Sequence, residues 1–278
     1  MAGSIGNSVA LMKASMNVLK LDKELLIFPV MSGIASVLVM ASFIAPLALT
    51  NGWAVFEQGG GDYLAMTVMF LFYVVQYTVI FFFNSALVGA ALIRLDGGDP
   101  TVSDGLAIAS KRMGAILGYA VLSATVGMVL RMISERGGIF AKIAAAVAGM
   151  AWTLATYLAV PVLVTKDVGP IDAVKESAAI FKRTWGEQVA ANFGLSWAMF
   201  FAFVGWTGVV VAAVYISSMI GAVAVIPALV VGVSGYVFLA LLGSALGGIY
   251  TAALYRYAMT GDTGEFQADI LGNAFRTK

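Results

Sequence analysis

The sequence predicts an all-α fold, a polytopic transmembrane helical bundle of about six spans joined to amphipathic helices on the cytoplasmic side. Three observations carry this. Hydrophobic residues make up 61% of the chain and charged residues only 11%, against roughly 45–50% and about 25% in soluble domains. Charge is therefore too scarce to cover a water-facing surface of this size. Uncharged runs occupy 25–56, 63–93, 113–130, 143–165 and 188–255, and about 20 consecutive apolar residues suffice to cross a bilayer as a helix. The cations, finally, fall unevenly between alternate connecting segments.

Taken in order, residues 4–21 form the first element. Ile5, Val9, Met12, Met16 and Leu19 share one face of a helix, while Asn7, Lys13, Asn17 and Lys20 fall elsewhere. A helix lying on the cytoplasmic leaflet has this pattern, and so does a helix packed on the protein's own loops. The first apolar run begins only at Leu25 and reaches span length, which is unlike a cleavable signal peptide. Spans then follow near 25–49, 66–93, 114–131 and 141–165. Pro161 lies inside the fourth and is expected to kink it.

The final uncharged run holds either two spans with a real loop or three with almost none. Two spans, near 189–214 and 228–257 with a turn over 215–227, leave a cytoplasmic tail at 258–278 and one transmembrane domain over 1–278. They place 13 of the 16 lysines and arginines on one side, with only Arg131, Arg136 and Lys142 on the other. Three spans would make the division 10 against 6. Cytoplasmic loops collect Lys and Arg, so six spans with both termini cytoplasmic is the preferred reading.

Residues 101–113 and 170–186 resemble the first amphipathic segment. Ser15-x-x-Val18-Leu19-Lys20 matches Ser177-x-x-Ile180-Phe181-Lys182, and Pro100 and Pro170 stand where helix starts tolerate proline. Three span exits also correspond: Arg94 before Gly97-Gly98-Asp99-Pro100, Lys166 before Asp167-Val168-Gly169-Pro170, and Arg256 before Gly261-Asp262. The chain can thus be read as three parallel units, each an amphipathic helix followed by a two-span hairpin. Loop punctuation common to all hairpins would produce a similar pattern.

The chain has no cysteine and no histidine, which removes thiol chemistry, disulfides, His–metal sites and a histidine base. The net charge of +1 gives no reason to expect a nucleic-acid partner. Catalytic, metal and cofactor sites are not expected. A membrane enzyme would need Asp96, Asp99 and Asp262 to converge on a metal, whereas turn and helix-start chemistry already accounts for such residues. No ionisable residue lies well inside a span, which argues against a proton-coupled pump. The polar residues within spans are Tyr73, Gln76, Tyr77, Asn84 and Asn192; they could line a cavity or tie helices together. Small-residue pairs such as Gly243/Gly247 and Ser244/Gly248 are expected to let helix backbones approach. Lys13, Lys20, Lys111, Arg112, Lys182 and Arg183 are the candidate lipid-headgroup contacts.

The stretch Ser15–Gly33, SMNVLKLDKELLIFPVMSG, resembles the opening of a prokaryotic family of integral membrane proteins of unknown function, whose members carry an amphipathic segment and then Asp-[Lys/Arg]-Glu-Leu-Leu-x-Phe-Pro, here Asp22 to Pro29. More loosely, the arrangement is similar to the membrane domain found beside some glycerophosphodiester phosphodiesterases. The resemblance implies a prokaryotic plasma membrane and transfers no catalytic residue. The expected function is non-enzymatic, organising lipids or partner proteins at the cytoplasmic leaflet, with membrane lipids, a membrane protein or a second copy of the chain as partners. The alternative is an uncoupled transporter or channel for a small or lipidic substrate, using a midplane cavity near Gln76 and Asn84.

Overall fold

The computed structural model describes residues 2–49, 63–185 and 194–262; Asn192, the start of the fifth predicted span and the tail from 263 lie outside the described residues. Among the described residues every regular element is a helix: α1 (Ala2–Leu21), α2 (Ile27–Leu49), α3 (Tyr63–Leu95), α4 (Val102–Lys111), α5 (Met113–Arg136), α6 (Ile139–Ala155), α7 (Ala159–Thr165), α8 (Pro170–Trp185), α9 (Gly194–Ile220) and α10 (Ala222–Thr260). Six helical stretches are long and apolar enough to cross a membrane: Lys23–Leu49, Tyr63–Leu95, Met113–Glu135, Ile139–Thr165, Met199–Ile220 and Val223–Thr260. Their outer faces carry large apolar side chains, Leu38 at 64% exposed and Phe238 at 57% among them. That is the surface a hydrocarbon solvent requires.

The Asp22–Pro29 motif is a joint. Asp22 Oδ1 accepts the Glu24 N–H at 3.2 Å and starts a one-turn 3-10 helix, Lys23–Leu26, that runs into α2. Glu24 Oε2 accepts the Val102 N–H at 2.9 Å, so a carboxylate meets the electropositive start of α4. Leu25 and Phe28 are buried. Gly105 of α4 lies so close to Phe28 that a Cβ there would stand 2.5 Å from Phe28 Cζ and 2.7 Å from the Ala86 carbonyl oxygen. Thr101 and Asp104 close a capping box at the same helix start, and their hydrogen bonds hold the Asp104 carboxyl below the usual carboxylate range.

The fourth span is broken at 156–158, between α6 and α7. Pro161 has no N–H to return to the preceding turn, and the helix tightens just before it. The break frees the buried Leu158 N–H, which donates to Ser177 Oγ of α8 at 2.9 Å. The last two spans differ from expectation. The turn anticipated over 215–227 shrinks to Gly221, at φ +149°, with helix on both sides. Ser218 folds its hydroxyl back onto the Tyr215 carbonyl at 2.7 Å, so a residue that reads as loop punctuation sits inside a helix without an unpaired group. Only glycine takes that backbone angle freely.

The core gathers at the end of the bundle where α1, α4 and α8 lie, hereafter the charged end. Here the three-unit pattern becomes geometric. At eight, seven, four and three residues before the exit cation, the second span of every hairpin is buried. The residues are Ala86, Leu87, Ala90 and Ala91 before Arg94; Leu158, Ala159, Val162 and Leu163 before Lys166; and Gly248, Ile249, Ala252 and Ala253 before Arg256. This spacing is one continuous helix face. The short helices correspond too: Ser15, Gly105 and Ser177 are buried, as are Leu19, Ala109 and Phe181 four residues on. Gly105 meets Ala86 and Ser177 meets Leu158, the same level of the preceding span, and α1 packs on α9 and α10. Leu11, Ala14, Val18 and Leu19 of α1 are thus covered by protein, while Met12 and Met16 of its predicted apolar face are half-buried and Ile171 of α8 is 58% exposed.

Candidate functional site

Two features at the charged end could meet a ligand. The first is a collar of cations. Among the described residues the acids here are all engaged. Asp99 pairs with Arg94 at 3.3 Å, Asp167 with Arg112, Glu176 with Lys166, and Asp172 with Lys175 at 3.3 Å. Arg256 spans Asp96 and Asp262, each at 2.8 Å, and its bond to Asp96 locks the first hairpin to the third. The hydrogen bond to Glu176 holds the Lys166 ammonium above the usual lysine range. Asp22 and Glu24 serve the joint already described. Arg94 also donates to the Leu21 carbonyl at 3.2 Å and Arg183 to the Ala258 carbonyl at 3.4 Å, so each closes a helix C-terminus, where a cation is favoured. Lys13, Lys20, Lys23, Lys111 and Lys182 remain: all are exposed, and none has an acidic partner among the described residues. Of the candidate headgroup contacts, then, Arg112 and Arg183 are structural ties, and Lys13, Lys20, Lys111 and Lys182 have no acidic partner among the described residues.

The second feature is a groove of about 700 Å³ between the first, second, fifth and sixth spans, with Tyr157 of the fourth at its floor. Phe28, Phe83, Leu87, Phe203 and Leu239 form apolar walls, and Ser32, Asn84, Ser244, Tyr250 and Thr251 add neutral polar groups. Ile80 and Phe200 stand 37% and 53% exposed at its rim, so it opens sideways at the level of the hydrocarbon. The Tyr157 hydroxyl bonds to Thr251. The Tyr250 hydroxyl is buried and has no partner among the described residues, and the Asn84 amide, which faces the groove, has none either.

Of the described polar residues expected to share a cavity, Tyr73, Gln76, Tyr77 and Asn84, only Asn84 reaches this one. Tyr73 and Tyr77 lie further along α3, toward the opposite membrane face. Their rings stack at 6.0 Å and continue through Phe81, 5.6 Å from Tyr77, to Tyr119 of α5, 4.5 Å from Phe81. This ladder fills the seam between the second and third spans. Arg131 reaches the Tyr73 hydroxyl at 3.4 Å. Gln76 has its Oε1 buried without a partner and lines no part of the groove. Asp96 and Asp262 do converge, but on Arg256. The small-residue pairs serve packing inside the chain: a Cβ on Gly248 would stand 2.4 Å from Leu87. Gly247, one residue away, faces open space and widens the groove. The sequence reading missed Tyr250. Its signal was a hydroxyl six residues inside the exit cation, too deep for the interfacial belt that accommodates tyrosine at span ends.

Six apolar helices, a lipid-facing outer surface and charge confined to the ends define a polytopic α-helical membrane protein. Residues 63–266 match the family of unknown function DUF6159, and the chain belongs to that family. No curated protein and no solved structure matches the chain. The matched region begins after the Asp22–Pro29 motif.

Proposed function

We propose that this chain is a non-enzymatic membrane protein that organises anionic lipids around its charged end, on the cytoplasmic leaflet of a prokaryotic plasma membrane. The carrying observation is the unequal treatment of charge among the described residues: the acids at that end are consumed by internal bonds, while Lys13, Lys20, Lys23, Lys111 and Lys182 are exposed and have no acidic partner among them. The packing of α1, α4 and α8 on the charged end of the bundle supports this reading, because it holds Lys13, Lys20, Lys111 and Lys182 around that end. Near an anionic surface each contributes about 1 kcal/mol.

The test is the lipid retained by the full chain after mild extraction from bilayers of equal phosphatidylglycerol and phosphatidylcholine. Phosphatidylglycerol should be enriched, and the quadruple change Lys13→Gln, Lys20→Gln, Lys111→Gln, Lys182→Gln should remove most of that enrichment while leaving the chain helical. Equal retention of both lipids by the unmodified chain would overturn the proposal. Uncoupled movement of a lipidic substrate is the second reading, favoured by the lateral groove with Asn84 in its wall.

A further inference from the structure

We infer that the groove between the first, second, fifth and sixth spans is a binding site for a neutral long-chain lipid, whose uncharged polar group hydrogen-bonds to Tyr250 and Asn84. Its volume of about 700 Å³ falls within the roughly 300–1,000 Å³ of small-molecule sites. The walls select for hydrocarbon and the rim opens to the acyl-chain region. The floor selects further. Tyr250 is 3% exposed, and its hydroxyl lacks a partner among the described residues. A buried hydroxyl left unpaired in an apolar setting is unfavourable, and a ligand oxygen there would relieve it. Asn84 brings both a donor and an acceptor to the same space.

Charge disfavours an ionic headgroup in the groove. No described residue lining the groove is charged, so an ionic headgroup beside them would be desolvated without compensation. Tyr250 lies six residues before Arg256 and Asn84 ten before Arg94, which at the helical rise puts their polar atoms about 9 and about 15 Å inward from the charged end. The groove's lining from the first span, Phe28, Pro29 and Ser32, stands in the opening turns of that helix, so these groups lie in the half of the bundle nearer the charged end. A long-chain alcohol, diacylglycerol or similar lipid, with no charge to keep it at the surface, can sink to that level.

The test is photocrosslinking in nanodiscs with two diazirine probes, a long-chain alcohol and a phosphatidylglycerol. The alcohol should label the second and sixth spans around Asn84 and Tyr250, and unlabelled diacylglycerol should compete. Gly247→Leu fills space that no neighbour occupies within 4 Å, so it should abolish labelling with the fold kept. Tyr250→Phe, which removes only the oxygen, should lower labelling roughly fivefold. The collar changes at Lys13, Lys20, Lys111 and Lys182 should leave this labelling unaltered, so the two proposals stand or fall separately. Labelling by the alcohol that survives both Gly247→Leu and Tyr250→Phe would overturn the inference. So would groove labelling by the phosphatidylglycerol probe that neutral lipids fail to displace.

Discussion

Ser15 and Ser177 stand at corresponding places in α1 and α8, both fully buried, yet only Ser177 is bonded: its Oγ receives the Leu158 N–H, while Ser15 Oγ has no partner among the described residues. The difference follows from Pro161, which opens the fourth span and exposes an amide that an unbroken span would have used. Removing an acceptor from a buried N–H costs about 1–3 kcal/mol, so Ser177→Ala should lower the detergent-solubilised unfolding temperature clearly, and Ser15→Ala should leave it unchanged or raise it. Equal losses from the two would contradict this assignment. Asp22 gives a pH counterpart. Burial pushes its carboxyl above the usual carboxylate range, so the folded state holds the proton more tightly than the unfolded chain. The stabilisation is then complete below the ordinary carboxylate pKa and is lost as pH rises through the raised value. Asp22→Asn keeps an acceptor for the Glu24 N–H and removes the ionisation. It should raise the unfolding temperature at pH 7.5, with the gain closing on acidification toward pH 4, as followed by thermal melts across that range.

The helices differ in how much of their placement could be read in advance. The first four spans were legible because hydrocarbon makes one uniform demand, about 20 residues without charge, and 25–49 and 66–93 meet it plainly. The short helices were legible as helices but not in their partners. A narrow stripe such as Leu11, Ala14, Val18 is satisfied as well by protein as by lipid, and only the matching rows of small residues at Ala86, Ala90 and Gly248 decide for protein. The hairpin at Gly221 was misjudged because Ser217, Ser218 and Pro227 mark loops in water, whereas a serine in a membrane helix can return its hydroxyl to its own backbone. The groove was the least legible part. It is assembled from five spans, and its floor depends on Gly247 leaving a space that Gly248 does not, a distinction set by rotation about one helix and invisible in a Gly-Gly pair.

At the scale of the whole molecule, the buried register before Arg94, Lys166 and Arg256 makes the three hairpins equivalent layers around one core, with α3 in contact with α2, α4, α5, α7 and α10. Equivalence has a consequence for orientation. Each unit starts and finishes at the charged end, so the whole chain must be threaded in one sense. Of the described cations, Arg131, Arg136 and Lys142 alone belong to the opposite end. Cytoplasmic loops tend to retain cations, so the expected orientation has Lys20, Lys111 and Lys182 inside the cell and the α5–α6 connection outside. The chain's lack of cysteine allows a direct check with one reporter at a time. Gly138→Cys, in the exposed α5–α6 connection, should react with a membrane-impermeant maleimide in intact cells. Ser110→Cys, exposed on α4 beside Lys111, should react only after the membrane is opened. The reverse pattern would invert the bundle and move the lysine collar to the outer leaflet. Labelling of both reporters from outside would break the even number of crossings that the three-hairpin arrangement requires.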